Sequence, residues 1–208
     1  MTRSGSTWLF NAVRQILKTS GAPDLAGGYG GQMKELLTHR TPIIKVHPFD
    51  AELAAMADVV LTAHRDLRDV AASMQRHYEI GFSTVLVNYW VRDHTRWAQC
   101  AAYDLHYENL LVDKLAEVKK IAAVLKLPSQ ILEQLPYEAI LREIEGEKFE
   151  KPFSESTAYD AVNLLHKGHI TDGRHGSWKN VVPEDFLAAI EKEFRGWMSV
   201  HGYLTRST

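Results

Sequence analysis

Two basic residues, Lys45 and His47, close a short apolar run, Pro42-Ile43-Ile44-Lys45-Val46-His47. On a strand, alternation places such a pair on one side, about 6–7 Å apart. The histidine is suited to taking a proton from a hydroxyl near neutral pH. A lysine beside it can stabilise negative charge on a leaving group. The chain has ten histidines, most of which must serve structure, so the pair needs company before it means chemistry. Arg65 and Ser73 supply a second pair, placed across a strand-to-helix turn. An arginine fork and a hydroxyl can meet one phosphate from there. Alone, each is an ordinary surface residue. Asp69 between them reads as a first-turn helix residue matched to the dipole. A third group is Gly173-Arg174-His175-Gly176-Ser177-Trp178-Lys179-Asn180. Its glycines permit close backbone approach, and its cations suit an anion or simply water.

The start of the chain offers a place for such an anion. Thr2-Arg3-Ser4-Gly5-Ser6-Thr7-Trp8-Leu9 reads as a small-residue loop entering a helix. Trp8, Leu9, Ala12, Val13, Ile16 and Leu17 carry helical apolar spacing. Unpaired N–H groups and a positive dipole end make a helix N-terminus a natural phosphate site. Arg3 adds a charge. The bland reading is a helix capped by Ser4 or Ser6. A Walker A motif needs a lysine after its second glycine, and here the cation precedes Gly5. ATP or GTP phosphotransfer is disfavoured on that ground.

These residues need elements to position them. Asp58 to His64 is rich in β-branched residues and reads as a parallel strand covered on both faces. Helices are expected over 8–17, from Val70, over 83–103, 108–125 and 128–144, and from Pro183 to His201. Asp104 to Tyr107 reads as a brief strand. Gly27-Gly28-Tyr29-Gly30-Gly31 reads as a mobile surface loop, and the charged 145–159 stretch as a loop or lid. Helices alternating with short strands indicate an α/β fold with a parallel sheet, in one domain spanning 1–208. Lys45, His47 and Arg65 all fall at strand carboxyl ends, where open sheets bind ligands. Tyr78, Phe82 and Tyr89 could line an apolar pocket, while Trp90 and Trp97 read as core.

Of the 208 residues, 45% are hydrophobic and 24% charged, and net charge is −2. No general basic footprint indicates nucleic acid, so a polyanion would have to be met by a local cluster of cations. No apolar run has transmembrane length, and no signal peptide is expected before the loop. A single cysteine, Cys100, excludes an internal disulfide and reads as a buried inert thiol. A cytoplasmic setting is expected.

Taken in order, these segments resemble the PAPS-dependent sulfotransferase family. Arg3 to Trp8 is similar to its 5′-phosphosulfate loop, Pro-Lys-Ser-Gly-Thr-Thr-Trp. Lys45-Val46-His47 resembles its Lys-Thr-His, and Arg65 through Ser73 its 3′-phosphate motif. Tyr107-Glu108-Asn109-Leu110 resembles its Tyr-Glu-Asp-Leu segment, and Gly176 to Asn180 its Gly-Asp-Trp-Lys-Asn. The resemblance implies a three-layer α/β fold, a central parallel sheet flanked by helices, of the P-loop-containing nucleotide hydrolase kind. It implies transfer of a sulfuryl group from 3′-phosphoadenylyl sulfate (PAPS) to a hydroxyl or amine, with 3′,5′-ADP released. His47 would be the general base, and Lys45 and Arg3 would stabilise the leaving group. Arg3, Ser4, Gly5, Ser6 and Thr7 would hold the phosphosulfate, and Trp8 would pack on adenine. Arg65 and Ser73 would take the 3′-phosphate, Tyr107 the adenine, and Gly173, Arg174 and Lys179 the C-terminal side of the nucleotide. No metal is expected, no nucleic acid and no membrane span. The partner would be a small-molecule or glycan acceptor, and oligomeric state stays open.

The chain departs from the family pattern in three places. Arg3 stands for the usual loop lysine. Thr171-Asp172 stands where many members have Arg-Lys, with Arg174 or His169 as candidate substitutes. The family's central strand before the loop has no counterpart after Met1, which suggests a start further upstream. The alternatives are a non-catalytic or truncated 3′,5′-ADP-binding relative, or a P-loop small-molecule kinase.

Overall fold

The computed structural model describes residues 1–146, 159–166 and 173–204. The chain first forms α1 (Ser6–Thr19), β1 (Leu25–Tyr29), α2 (Met33–Leu36), β2 (Thr41–Lys45), α3 (Ala51–Met56), β3 (Leu61–His64) and α4 (Leu67–Tyr78). It continues through α5 (Thr84–Ala98), β4 (Tyr103–His106), α6 (Tyr107–Val112), α7 (Lys114–Val124), α8 (Ser129–Gln134) and α9 (Tyr137–Gly146). A small hairpin, β5 (Tyr159–Asp160) with β6 (Leu165–His166), precedes α10 (Glu184–Glu193) and α11 (Arg195–Val200).

The strands form two parallel pairs, β1 with β2 and β3 with β4. In the second, His64 lies beside His106, so the next residues, Arg65 and Tyr107, emerge side by side. In the first, Tyr29 lies beside Lys45. All four of those chemically equipped residues therefore stand at carboxyl ends. Helices cover both faces. On one side α1, α7 and α9 pack Trp8, Ile16, Val118, Ile121, Ile140 and Ile144 around Ala63 and Leu105. On the other, α4, α5, α10 and α11 pack Leu67, Val70, Val87, Phe186, Ile190 and Met198. This is the expected mixed α/β architecture, with small sheets.

Between β2 and β3 lies a cavity of about 380 Å³, lined by Ile43, Ile44, Leu61, Thr62 and Ala63 and by Leu9, Phe10 and Val13 of α1. At its end the Met1 amino group donates to the Ala63 carbonyl at 3.1 Å.

Local chemistry explains where elements differ from the sequence reading. The glycine-rich 27–31 stretch is no mobile loop: it is the end of β1 and the turn after it. A Cβ on Gly27 would sit 2.8 Å from the Phe10 ring, so the missing side chain is what lets α1 lie on this strand. The 108–125 helix is two, because the Asp113 carboxylate accepts from Ala116 N–H at 2.9 Å and caps α7. The 128–144 helix breaks at Pro136, whose preceding residue Leu135 is extended. The long helix expected to Tyr103 stops at Ala98, and β3 begins at Leu61 rather than Asp58. Cys100 is exposed, not buried. Trp97 is buried as expected, and Trp90 packs on the second core. Most of the 145–159 stretch, with Thr171, Asp172 and His169, lies outside the described residues. No helix among the described residues is long and apolar enough to cross a membrane.

Candidate functional site

A cavity of about 270 Å³ opens where the carboxyl ends of the strands meet the start of α1. The helix begins at Gly5, whose φ of 82° is left-handed, and no side chain caps its first turn. No acidic residue occupies that turn either. The start of α1 therefore presents a positive dipole end at the cavity, with no capping side chain and no first-turn acid to neutralise it among the described residues. Neither Ser4 nor Ser6 is the cap. The Ser4 hydroxyl turns inward, fully buried, and donates to the carbonyls of Met1 at 2.6 Å and Ala63 at 3.0 Å. Gly5 is required twice over. Besides its φ, a Cβ there would lie 2.9 Å from the Tyr107 ring.

Three cations enter the cavity from three directions. Lys45 comes from the end of β2, 7% exposed, with its Nζ donating to Thr7 Oγ1 at 2.5 Å. Burial, and secondarily the Arg3 charge, pushes its ammonium down to about 7. Arg65 follows β3 and is 4% exposed. One of its terminal nitrogens donates to the Arg174 carbonyl at 2.7 Å, and its guanidinium lies 4.3 Å over the Tyr107 ring. Its Nε is buried with no hydrogen-bond partner among the described residues. Arg3 leaves the loop at a strained φ of 53° and donates from Nε to Ser73 Oγ at 2.9 Å. Burial pulls its guanidinium below its ordinary value. None of the three has a carboxylate partner among the described residues. Burying cations unpaired is expensive unless an anion arrives to use them.

The loop Gly173–Asn180 closes one wall, and an aspartate holds it there. Asp69, fully buried in the first turn of α4, accepts from Gly176 N–H at 2.8 Å, the Ser177 hydroxyl at 3.1 Å and Trp178 N–H at 3.1 Å. The dipole role read from the sequence is therefore the smaller part of its work. Arg76 adds a bond to the Ser177 hydroxyl at 3.0 Å. Tyr107 Oη donates to the Gly173 carbonyl at 2.9 Å. The opposite wall is Trp8, whose Nε1–H donates to Glu145 at 2.9 Å, while Lys114 pairs with the same carboxylate at 2.5 Å.

The fold gathers most of the residues singled out in the sequence. Arg3, Gly5, Ser6, Thr7, Trp8, Lys45, His47, Arg65, Ser73, Tyr107 and Gly173 all line this one cavity. β2 ends at Lys45, so His47 joins it from the bend beyond the strand rather than from the strand itself. Three candidates stand outside the lining. Ser4 lies beneath the loop, Arg174 contributes its backbone carbonyl, and Lys179 is exposed beside the Trp178 ring. Tyr29, Lys114 and Glu145 line the cavity without having been singled out. Tyr29 arrives by its pairing beside Lys45, with its ring 5.2 Å from the ammonium. The glycine-rich sequence around it hides that pairing. Tyr78, half exposed, also lines the cavity, whereas Phe82 packs against Phe186 at 5.1 Å.

No protein-family model and no curated protein matches this sequence. A solved structure does match in fold. The crystal structure of the mouse sulfotransferase SULT7A1 complexed with PAP superimposes with a TM-score of 0.63 at 14% identity, covering 96% of this chain and 83% of that one. At that identity the likeness is one of fold.

Proposed function

We propose that this chain binds 3′-phosphoadenylyl sulfate and transfers its sulfuryl group to a hydroxyl or amine of a small-molecule or glycan acceptor. The observation that carries this reading is the convergence of Arg3, Lys45 and Arg65, without carboxylate partners among the described residues, on the uncapped start of α1. The fold shared with a PAP-bound sulfotransferase supports it.

In this reading Ser6 and Thr7, with the first N–H groups of α1, hold the 5′-phosphosulfate. Arg65 and Ser73 take the 3′-phosphate, with Arg3 bonded to Ser73 joining the two anionic ends. Trp8 and Tyr107 flank the base. His47 accepts the proton of the acceptor hydroxyl as its oxygen attacks sulfur. The bond from sulfur to the bridging phosphate oxygen breaks, and its electron pair leaves on 3′,5′-ADP. Lys45, whose ammonium sits near its own midpoint at neutral pH, stabilises that oxygen or gives it a proton. Fixed cations suffice for such a leaving group, so no metal step is needed.

The test is sulfuryl transfer from labelled PAPS to a panel of phenols, alcohols, amines and saccharides, run beside calorimetric binding of 3′,5′-ADP. The expected result is transfer to one acceptor class, reduced about 10²–10⁴-fold in His47→Ala with nucleotide binding retained. Full turnover by that variant would remove His47 from the mechanism. Binding of 3′,5′-ADP with no transfer to any acceptor would leave the non-catalytic reading. Magnesium-dependent ATP turnover indifferent to PAPS would replace both with a kinase.

A further inference from the structure

Away from this cavity, a second polar cluster sits between β3 and β4 and the helices α5 and α11. It comprises His64, Asp104, His94 and His201, framed by Trp197 and Tyr203. Its hydrogen bonds fix where the protons are. Tyr203 Oη donates to the Glu108 carboxylate at 3.2 Å. It then accepts from His64 Nδ1 at 2.8 Å, so the neutral His64 ring carries its lone pair on Nε2. That lone pair stands 3.7 Å from the Asp104 carboxylate. His201 Nδ1 lies 2.7 Å from the Trp197 carbonyl, which only accepts, so His201 also keeps its lone pair on Nε2. The Trp197 indole N–H donates to His94 Nδ1 at 3.3 Å. His94 Nε2–H therefore donates to the Asp104 oxygens, at 3.1 and 3.2 Å, and orients that carboxylate.

Two imidazole lone pairs and an oriented carboxylate thus share one small space with no proton between them. One donor atom from each of His64, Asp104 and His201 lies within 4.8 Å of the other two. We propose that His64, Asp104 and His201 hold a divalent transition-metal ion of the zinc kind, with a fourth position open to water. Nitrogen and carboxylate donors suit such an ion better than magnesium or calcium. Tetrahedral zinc at about 2.0–2.2 Å from its ligands needs donors roughly 3.3 Å apart; the His64–Asp104 pair stands at 3.7 Å and all three donors within 4.8 Å, so the site closes on the ion as it binds. The outer bonds are those metal histidines ordinarily make: a backbone carbonyl behind His201 and a hydroxyl–carboxylate relay behind His64. His64 is 5% exposed, whereas Asp104 and His201 are half-buried and leave the ion a route in. A second acidic group, Asp69, Glu108 and His175, does not qualify. Asp69 already accepts three protein donors, from Gly176, Ser177 and Trp178. The ion ties β3, β4 and the end of α11 together next to the strand ends that carry Arg65 and Tyr107, and the assignment holds whether or not the sulfuryl-transfer reading does.

The experiment uses the untagged full chain, stripped with a chelator and titrated with Zn²⁺ against a chromophoric competitor. One equivalent is expected, with a thermal midpoint that rises with Zn²⁺. Co²⁺ should give the visible bands of a tetrahedral nitrogen–oxygen site, with no sulfur charge-transfer band. His201→Ala and Asp104→Asn, checked for folding by circular dichroism, should each lose the equivalent, while His175→Ala and Cys100→Ser keep it. Stoichiometric binding that survives in His201→Ala and Asp104→Asn, or is lost in His175→Ala, overturns the assignment. Should the two ligand variants not fold, the wild-type cobalt spectrum decides alone, and absence of tetrahedral bands overturns it.

Discussion

Arg65 and Arg68 stand three residues apart at the same strand-to-helix turn and live in opposite electrostatic worlds. Arg68 is wrapped in acceptors: Asp66 at 2.7 Å, Glu191 at 2.7 Å and the Tyr203 carbonyl at 2.9 Å, with its guanidinium 4.4 Å over Trp178. Those partners hold its guanidinium above the ordinary arginine value, despite burial acting the other way. Arg65 is as deeply placed and has one carbonyl, one aromatic face and an Nε without a partner among the described residues. Burial alone does not separate structural from binding arginines. What separates them is whether the protein supplies the anion itself.

Substitutions should split along that line. Arg68→Ala removes the counter-charge of the fully buried Asp66, so a loss of about 3–5 kcal/mol in stability is expected by chemical denaturation. The fraction that folds should keep its affinity for 3′,5′-ADP. Arg65→Ala should do the reverse. Affinity measured calorimetrically falls by about 1.5–3 kcal/mol, the worth of hydrogen bonds to a charged group, and the thermal midpoint barely moves. If Arg65→Ala unfolds the protein and Arg68→Ala abolishes binding, the assignment of the two roles is inverted. Gly5→Ala comes next. The left-handed φ and the Tyr107 ring together should cost about 1–2 kcal/mol in stability and weaken nucleotide binding as the loop shifts.

The finest test of an unneutralised cation is a slope rather than a single loss. The unfolded chain holds the Lys45 proton up to about 10.5, whereas the folded protein releases it near 7. Between those values the unfolded state binds more protons, so stability rises with pH, by at most about 1.4 kcal/mol per unit. Affinity for an anion should run the other way and fall as pH climbs through 7. Lys45→Met should flatten both slopes. Parallel slopes in the wild type would show that another group governs one of them.

The chemistry-bearing segments were legible because they are local. A loop, a strand end and a strand-to-helix turn each carry their signal within a few residues, and the α/β alternation says that their ends converge. What stayed hidden depends on partners far along the chain. Asp69 looks like a helix-start residue until the 176–178 backbone arrives on it. The Gly27–Gly31 stretch looks like a loop because its strand character comes from pairing with β2 and from the Phe10 ring, not from its own side chains. Asp113 and Pro136 were readable as helix boundaries, and hydrophobic periodicity running across them masked both. The histidine cluster draws on β3, α5, β4 and the end of α11, a spread that no sequence spacing reveals.

The cavity between β2 and β3 has a mechanical consequence. Among the described residues no backbone ladder joins the two parallel pairs, so Lys45 and Tyr29 ride on one plate and Arg65 and Tyr107 on another. The wedge that keeps them in register is α1, which meets both. An anion spanning Lys45 and Arg65 would act as a crossbar between the plates, stiffening the protein in the direction its own hydrogen bonds leave compliant.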